Sequence, residues 1–301
     1  MRRAFFLVAV MVGTAIAVSP FIANLTAQGQ QPAGVSIDLT GEWGQRVHED
    51  QPERGPGPEL GDYLGLPNND AARLHGDTWD ASLLTLPEHQ CMPHPSTYAL
   101  RGPQNLRIWK EVDPNTQDLI AYRTHGSWMA PERSIYMDGR PHPPEYAAHT
   151  YQGFSTGIFE GNMLTTFTDH VKEGWIRRNG IHHSDEATMV EHWFRHGNVL
   201  TVATIVTDPV YLTEPMIRTS NWEWAPNQNV GSYPCNPFQI VVEVERPIGT
   251  VPSHLPGTNA FLHEFADMHH LPFEATRGGA ETMYPEYQLK LQQMIAAAPK
   301  K

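Results

Sequence analysis

Short stretches of alternating hydrophobic and polar residues, separated by turn signals, run through most of this chain. Such alternation is typical of β-strands with one buried face, because successive side chains point to opposite sides of the sheet. Asp138-Gly139 and Glu160-Gly161 are strong turn signals between them. The pattern predicts strands over residues 37–43, 106–112, 119–125, 133–137, 151–159, 162–170, 188–195, 199–207, 216–224 and 237–244.

Many short strands joined by tight turns favour an all-β architecture. We predict a mainly β protein, in which an antiparallel meander closes into a barrel or a strongly curved sheet of lipocalin-like form. About eight strands would enclose side chains or one small ligand. The barrel-like domain is assigned to residues 37–246.

Helical periodicity occurs outside the predicted strands. Residues 69–84 begin with Asn-Asp, either of which can cap a helix, and carry a partial apolar face. Residues 259–269 and 284–298 are further helical candidates. The last of these places four apolar side chains on one face: Tyr287, Leu291, Met294 and Ile295. We therefore predict a loop and helical extension over residues 247–301 that packs on the barrel.

Residues 1–27 are typical of a secretory signal peptide. An Arg pair precedes an apolar stretch at 4–18, and small residues at 15–17 or at 27 offer cleavage sites. A polar linker at 28–36 follows. An uncleaved membrane anchor is the alternative, although the apolar run is shorter than the roughly 20 residues that span a bilayer. We expect export to the periplasm or the medium, with no membrane span once the leader is removed.

Composition narrows the class of protein. The chain has 301 residues, 40% of them hydrophobic, with 26 Pro and 24 Gly, which is typical of a globular protein rich in loops. Its formal net charge is −12. Nucleic acids and anionic membranes are bound by clustered positive charge, so neither is an expected partner. The expected partner is a small-molecule ligand or substrate, and the oligomeric state is left open.

Cys91 and Cys235 are the only cysteines in the sequence. In an oxidising compartment such a pair is expected to form a disulfide, which would tie an early loop to a late strand. The alternative is a compact metal site that combines Cys91 with His89 and His94. Zinc sites usually bring a second ligand pair, so the disulfide is the favoured prediction.

Ionisable side chains gather where the predicted strands end. Glu191 lies in a strand whose two faces both mix polar and aromatic residues, so it can face a lumen and act as a general acid or base. The alternative is that Glu191 or Asp208 pairs with an Arg in a buried structural network. The candidate proton-handling residues are His142, His183, Glu191 and Asp208. Candidate substrate-binding residues are Arg133, Asp138, Arg140, Trp193 and Tyr211, of which the two Arg can hold a carboxylate or an oxyanion.

Several reaction classes lack their motif in this sequence. There is no Gly-x-Ser-x-Gly, no phosphate-binding or dinucleotide-binding Gly-rich loop, and no His-Glu-x-x-His. Ser184 follows His183 directly, and neighbours in sequence do not make a catalytic triad. The absence of a nucleophile motif favours acid–base chemistry over acyl transfer.

Four segments together resemble a widespread family of uncharacterised secreted bacterial proteins. The segments are RSIYMDGRPHP, GFSTGIFEGNMLTTFT, HHSDEATMVEHWFR and TIVTDPVYLTEP, and the similarity covers residues 91–235, including both cysteines. Phe159 stands where the family usually has Trp, and Thr207 where it usually has Asp. The resemblance implies export, a β fold and a site location, but no reaction. The family's polar positions correspond to Arg133, Asp138, Arg140, His142, His183, Ser184, Glu191, Asp208 and Thr213.

Three hypotheses for function follow. The first is an exported β-barrel enzyme of the lyase, hydratase or isomerase type that acts on a small, partly apolar molecule without a cofactor. The second is a periplasmic binding protein for an apolar or aromatic ligand held in the lumen. The third is a protein dependent on a divalent transition metal, with His149, His170 and His192 as the candidate ligands.

Overall fold

The alternating stretches form a closed barrel in a computed structural model of the protein. The structure describes residues 37–46, 58–100, 104–127, 129, 132–232, 235–236 and 247–297. The barrel strands are β1 (Gly41–Gln45), β2 (Leu106–Val112), β3 (Leu119–Gly126), β4 (Glu132–Tyr136), β5 (Phe154–Glu160), β6 (Met163–Asp169), β9 (Thr188–His196), β10 (Val199–Thr207) and β11 (Met216–Trp224). They neighbour one another in that order, and β11 pairs with β1 to close the ring. The predicted mainly β barrel is confirmed.

Two short strands lie outside the barrel. Strands β7 (Gly174–Arg177) and β8 (Ile181–His183) form a separate two-stranded sheet in the connection from β6 to β9. Strands of four and three residues show too little alternation to be recognised in a sequence. The predicted leader, the linker and the strand at 237–244 lie outside the described residues.

One neighbouring pair departs from the predicted antiparallel meander. Strands β4 and β5 run parallel, and the other eight pairs in the ring are antiparallel. Strand directions that alternate around a closed ring require an even number of strands, so a ring of nine contains at least one parallel pair. Asp138-Gly139 therefore opens a long connection and not a hairpin. Residues 137–153, here called the crossover, return the chain to the level where β4 began.

One end of the barrel is closed by tryptophans. Trp43 is fully buried, and its indole N–H donates to the Leu39 carbonyl at 3.0 Å. Trp224 packs edge-on against it at 5.2 Å, and the Arg195 guanidinium lies over both rings. These groups adjoin the larger apolar cluster, formed by Ile37, Leu39, Trp43, Leu100, Leu106, Ile108, Tyr122, Ile135, Leu164, Trp193, Leu200, Val202 and Trp222.

A smaller apolar cluster fills the other end. Helix α1 (Asp70–Thr78) contacts β8 beside it. The helix begins where the sequence predicted, because the Asn69 side chain accepts from the backbone N–H of Ala72 at 3.0 Å. The cluster consists of Tyr63, Leu66, Ile176, Ile181, Met189, Val206, Leu212 and Met216.

A layer of polar side chains separates the two apolar clusters. Along β9 the inward residues are Met189, Glu191 and Trp193, so a carboxylate stands between members of the two clusters. Strand β10 repeats the order, with Thr204 between Val202 and Val206. The barrel interior therefore has a polar middle between two apolar ends.

The remaining elements are short helices around the barrel. They are α2 (Pro87–Gln90), α3 (Ser96–Ala99), α4 (Glu264–Met268) and α5 (Tyr287–Ala297), with 3₁₀ turns at Ala81–Thr85, Ala260–His263, Phe273–Thr276 and Ala280–Met283. The predicted C-terminal helices are thus present. The C-terminal segment contacts residues 58–79: Tyr63 N–H donates to Thr276 O, and Asn259 Nδ2 to Asp77 O. In α5, Tyr287 is buried and Leu289 and Ile295 are exposed.

Candidate functional site

An ion pair between Arg133 and Glu191 forms the centre of the polar layer. Arg133 Nη2 lies 2.7 Å from Glu191 Oε2, and the two side chains are 4% and 0% exposed. The order and register of the strands bring them together. Glu191 on β9 pairs with Thr166 on the neighbouring strand β6, and β5 alone separates β6 from β4, which carries Arg133. Neither charge is accessible to water, so each is compensated by the other and by neighbouring polar groups.

Three hydroxyl groups surround this ion pair. Arg133 Nε donates to Ser155 Oγ, and Arg133 Nη2 donates to Thr168 Oγ1, both at 2.8 Å. Thr166 Oγ1 donates to Glu191 Oε2 at 2.9 Å. The second carboxylate oxygen, Oε1, is buried, and no residue within the described ranges hydrogen-bonds to it. These contacts are those of the buried structural network, and the surroundings of Glu191 do not support an acid–base role.

His183 and Asp208 belong to another buried cluster. Asp208 accepts from Ser184 Oγ at 2.8 Å, from Ser184 N–H at 2.7 Å and from Val210 N–H at 2.9 Å. His183 Nδ1 lies 2.8 Å from Ser184 O and therefore carries its proton there. Burial lowers the pKa of His183 and outweighs the opposing hydrogen bond to Ser184. The cluster joins the turn after β8 to the turn after β10.

His142 lies outside the barrel, where the crossover meets β5 and β6. Its Nδ1 is 2.8 Å from Asp169 Oδ1, out of line for an aligned hydrogen bond, and its Nε2 is 2.8 Å from Thr156 Oγ1. Asp169 Oδ1 also accepts an aligned bond from His170 Nδ1 at 2.8 Å. We call these four residues the outer cluster. His142 and Asp169 are each about one fifth exposed, at 22% and 21%.

Both ring nitrogens of His170 face acceptors, an arrangement that favours the imidazolium form. Its Nε2 lies 3.0 Å from the Pro144 carbonyl, which can only accept, and its Nδ1 faces the Asp169 carboxylate. Burial opposes the charge, but the bonds to Asp169 and Pro144 outweigh it and raise the pKa of His170. Burial alone would raise the pKa of Asp169, yet the neighbouring His142 and His170 side chains lower it. The charged pair fastens the crossover to β6.

A cleft opens beside the parallel pair. Strands β4 and β5 pair at Ile135 with Ser155 and at Tyr136 with Thr156 only. Before those positions a cleft of about 440 Å³ lies between the two segments, within the range usual for small-molecule sites. We call it the seam cleft. Its lining is Pro93, Glu132, Arg133, Ser134, Tyr136, Thr150, Tyr151, Gln152, Gly153 and Phe154.

Aromatic rings connect the seam cleft to the outer cluster. Tyr136 and Phe154 stack with their centroids 5.1 Å apart, and the His142 ring meets Phe154 edge-on at 5.0 Å. Arg140 covers the Tyr136 ring at 3.9 Å. Asp138 holds Arg140 with contacts of 2.9 and 2.5 Å, so these two predicted binding residues pair with each other beside the cleft.

Trp193, Tyr211 and His192 do not line the seam cleft. Trp193 is 1% exposed in the larger apolar cluster. Tyr211 meets the ring of His75 at 5.9 Å. His192 Nδ1 lies 3.2 Å from Thr165 Oγ1 on the neighbouring strand. The structure thus disperses this part of the predicted site.

The alternative metal ligands are only partly brought together. The rings of His149 and His170 are 5.1 Å apart, and His192 lies on β9. Within the described ranges, no three or more His, Cys, Asp or Glu side chains are grouped to hold a metal ion. A metal cofactor stays a prediction that the geometry does not support.

Cys91 and Cys235 form the predicted disulfide. The bond spans 144 positions, from the segment before β2 to the segment after β11. Neither sulfur is a free thiolate, so the alternative metal site containing Cys91 is wrong. Among the residues described, no helix is both long and apolar enough to span a bilayer.

No family model matches this chain, and no curated protein matches it. The resemblance seen in the four sequence segments therefore stays a prediction. Sequence reasoning also missed the hydroxyl groups around Arg133. One signal for them is present in the sequence. Thr166 and Thr168 are spaced two apart in a predicted strand and therefore share one face, which is polar at both positions.

Proposed function

We propose that the protein binds a small, partly apolar molecule in the seam cleft. The observation that carries the proposal is the cleft itself, about 440 Å³ in volume, with Tyr136, Tyr151 and Phe154 among its lining residues. Aromatic walls with a few polar groups are typical of small-molecule sites. Here the polar groups include Glu132 and Gln152.

The cleft replaces the lumen as the binding site in this proposal. A ligand in a lipocalin-like lumen needs space inside the barrel, but large buried side chains occupy both ends of this one. Trp43, Trp193 and Trp222 are at most 1% exposed in one cluster, and Tyr63 and Met189 are fully buried in the other. The space for a ligand lies instead on the outside of the barrel, where β4 and β5 separate beside their two paired positions.

Acid–base turnover of the bound molecule is a second candidate function, of the lyase, hydratase or isomerase type. One observation favours it: His142 contacts Phe154, which lines the cleft. His142 is 22% exposed, while Glu191, His183 and Asp208 are at most 1% exposed. Asp169 would orient the ring, and the imidazole would take or give the proton.

Export is part of the proposal. Disulfides persist in oxidising compartments, and Cys91 and Cys235 are bonded. The leader predicted from residues 1–27 agrees with export, as does the motif resemblance. The protein would then meet its ligand in the periplasm or outside the cell.

Native mass spectrometry of the mature protein, purified from its own export pathway, tests the binding proposal. We expect an organic ligand that Tyr151→Ala loses, because the substitution removes an aromatic wall of the cleft. Tyr146→Ala is the matched control, since Tyr146 lies in the same crossover, is 92% exposed and does not line the cleft. Equal retention by both variants would place the ligand elsewhere.

A further variant separates binding from turnover. His142→Gln keeps a polar side chain at this position but removes the titratable imidazole. It should retain the ligand that co-purifies with the protein and stop its conversion. Conversion at the wild-type rate by His142→Gln would reject the acid–base candidate and leave the binding proposal standing.

A further inference from the structure

A second, much smaller cavity lies on the inner side of the seam. Its volume is about 10 Å³, and its lining includes Ser96, Gln104, Arg133 and Gln152. Arg133 and Gln152 also line the seam cleft. These two residues therefore stand between the outer cleft and the inner cavity.

The inner cavity presents polar atoms to which no residue within the described ranges hydrogen-bonds. Gln104 is 2% exposed, and both Oε1 and Nε2 of its amide are buried without a hydrogen-bond partner in the described part of the chain. Ser96 Oγ is also buried, and no residue in the described part of the chain hydrogen-bonds to it. Buried polar atoms without partners cost stability, so three of them around one cavity indicate a site for a polar group from outside the chain.

Gly126 shows that the fold makes room for this amide. A Cβ atom at Gly126 would lie 2.0 Å from Gln104 Oε1, although the φ of this glycine is not positive. The absence of a Cβ atom at position 126 therefore allows the close approach of the Gln104 amide, and backbone conformation alone would not call for a glycine. The backbone of Gln104 is held in place, because the Trp222 indole N–H donates to the Gln104 backbone carbonyl at 3.1 Å.

Size and charge limit what the cavity can accept. A volume of about 10 Å³ suits one group of the size of a water molecule. The Arg133 charge is already balanced by Glu191 at 2.7 Å, so an anion is not the expected occupant. The amide and hydroxyl offer both donors and acceptors, and a ligand hydroxyl, like a water molecule, is a small neutral group that can match both.

We infer that the seam cleft binds a hydroxylated ring, a phenol or a cyclic alcohol, whose hydroxyl group passes between Arg133 and Gln152 to reach Gln104 and Ser96. Gln152 is the residue that can move, because its amide donates one bond, to His94 O at 2.6 Å. Arg133 is fixed by Ser155, Thr168 and Glu191. This inference rests on the proposed function and adds the class of ligand.

Titration calorimetry with phenol, cyclohexanol and toluene tests it on the mature protein. Phenol and toluene are nearly equal in size, so their difference isolates the hydroxyl group. We expect phenol to bind about tenfold more tightly than toluene, the factor given by one to two net hydrogen bonds. Comparison of phenol with cyclohexanol shows whether the natural ring is aromatic or aliphatic.

Two variants remove the inner partners. Gln104→Met should bring the phenol-to-toluene ratio close to one without weakening toluene. Ser96→Ala is the milder change and should lower that ratio about threefold, so it serves as the test where Gln104→Met does not fold. Tyr146→Ala is the matched control and should keep the wild-type ratio.

The outcomes separate the two proposals. Equal binding of phenol and toluene by the wild-type protein would overturn the inference and leave cleft binding intact. Preference for phenol that survives in Gln104→Met and Ser96→Ala would overturn it too, because the hydroxyl group would bind elsewhere. Binding of none of the three rings would also overturn the inference, whereas cleft binding itself is refuted only by equal ligand retention in Tyr151→Ala and Tyr146→Ala.

Discussion

Replacement of Glu191 should destabilise the protein strongly, because its partner Arg133 would be left charged inside the barrel. We consider Glu191→Met, Arg133→Met and the double variant, since Met is long, flexible and without polar hydrogens. In each single variant one charge stays buried at a site that is 4% or 0% exposed. The hydroxyl groups of Ser155, Thr166 and Thr168 cannot neutralise it.

The expected magnitude follows from the burial of the pair. Removal of one partner of a buried ion pair costs about 3–5 kcal/mol, whereas joint replacement by apolar residues costs much less. The double variant should therefore be more stable than the sum of the two single effects by about 3 kcal/mol. For a domain of this size each kcal/mol lowers Tm by about 2–4 °C, so Glu191→Met should melt about 6–20 °C lower.

Urea unfolding followed by tryptophan fluorescence measures these free energies, with circular dichroism as a check on two-state behaviour. The control is Glu223→Met, which breaks an exposed pair with Arg46 at 3.4 Å and should cost less than about 1 kcal/mol. A loss in Glu191→Met no larger than the control, with no coupling to Arg133→Met, would refute the structural role. Glu191 would then again be a candidate for proton transfer.

Three further predictions concern other parts of the molecule. Reduction of the Cys91–Cys235 bond should lower the free energy of unfolding by up to about 5 kcal/mol, the chain-entropy value for a loop of this span, and an unchanged urea midpoint with reductant would contradict it. Because the pKa of His170 is raised, its contribution to the free energy of unfolding is complete below about pH 6.5 and is lost as the pH rises through the folded pKa. Because the pKa of Asp169 is lowered, its contribution to the free energy of unfolding is lost only as the pH falls below about 3.8. Hydrogen exchange in the crossover should therefore speed up, relative to the β-strands, above neutral pH, and Asp169→Asn should remove that trend; a wild-type crossover without it would count against the imidazolium assignment. Gly126→Ala should lower the urea midpoint, because the new methyl group meets Gln104 Oε1, while Gly231→Ala, whose added carbon meets no atom of the described residues within 4 Å, should leave it unchanged.

Local sequence patterns predicted the strands well, because the alternation of buried and exposed side chains along a strand depends only on neighbouring residues. Residues 106–112, 199–207 and 216–224 were predicted as strands and form β2, β10 and β11 with the same bounds. The direction of the next strand is not a local property. Gly139 has the positive φ of 74° that its turn signal predicts, but the crossover that follows it depends on how β4 and β5 pair, which is a property of the whole ring.

The candidate site was less predictable, because its contacts depend on register across several strands. The sequence shows that Arg133 and Glu191 are polar residues in strands, but their contact requires β4, β5, β6 and β9 to lie side by side. The seam cleft arises where β4 and β5 cease to pair, which no short motif encodes. Gln104 precedes β2 without any pattern around it, and only the burial of its side-chain amide, to which no described residue hydrogen-bonds, marks it as part of a site.

The disulfide also determines how the protein would respond to mechanical load. Cys91 and Cys235 enclose every barrel strand except β1, which alone lies before Cys91. Under a force applied to the two chain ends, the segment that joins the cysteines, which are 144 positions apart, could not lengthen while the bond is intact, which withholds roughly 490 Å of extended chain. Within the barrel, only β1 would be pulled away from its neighbours β2 and β11, and the other barrel strands would stay shielded from tension until the bond is reduced.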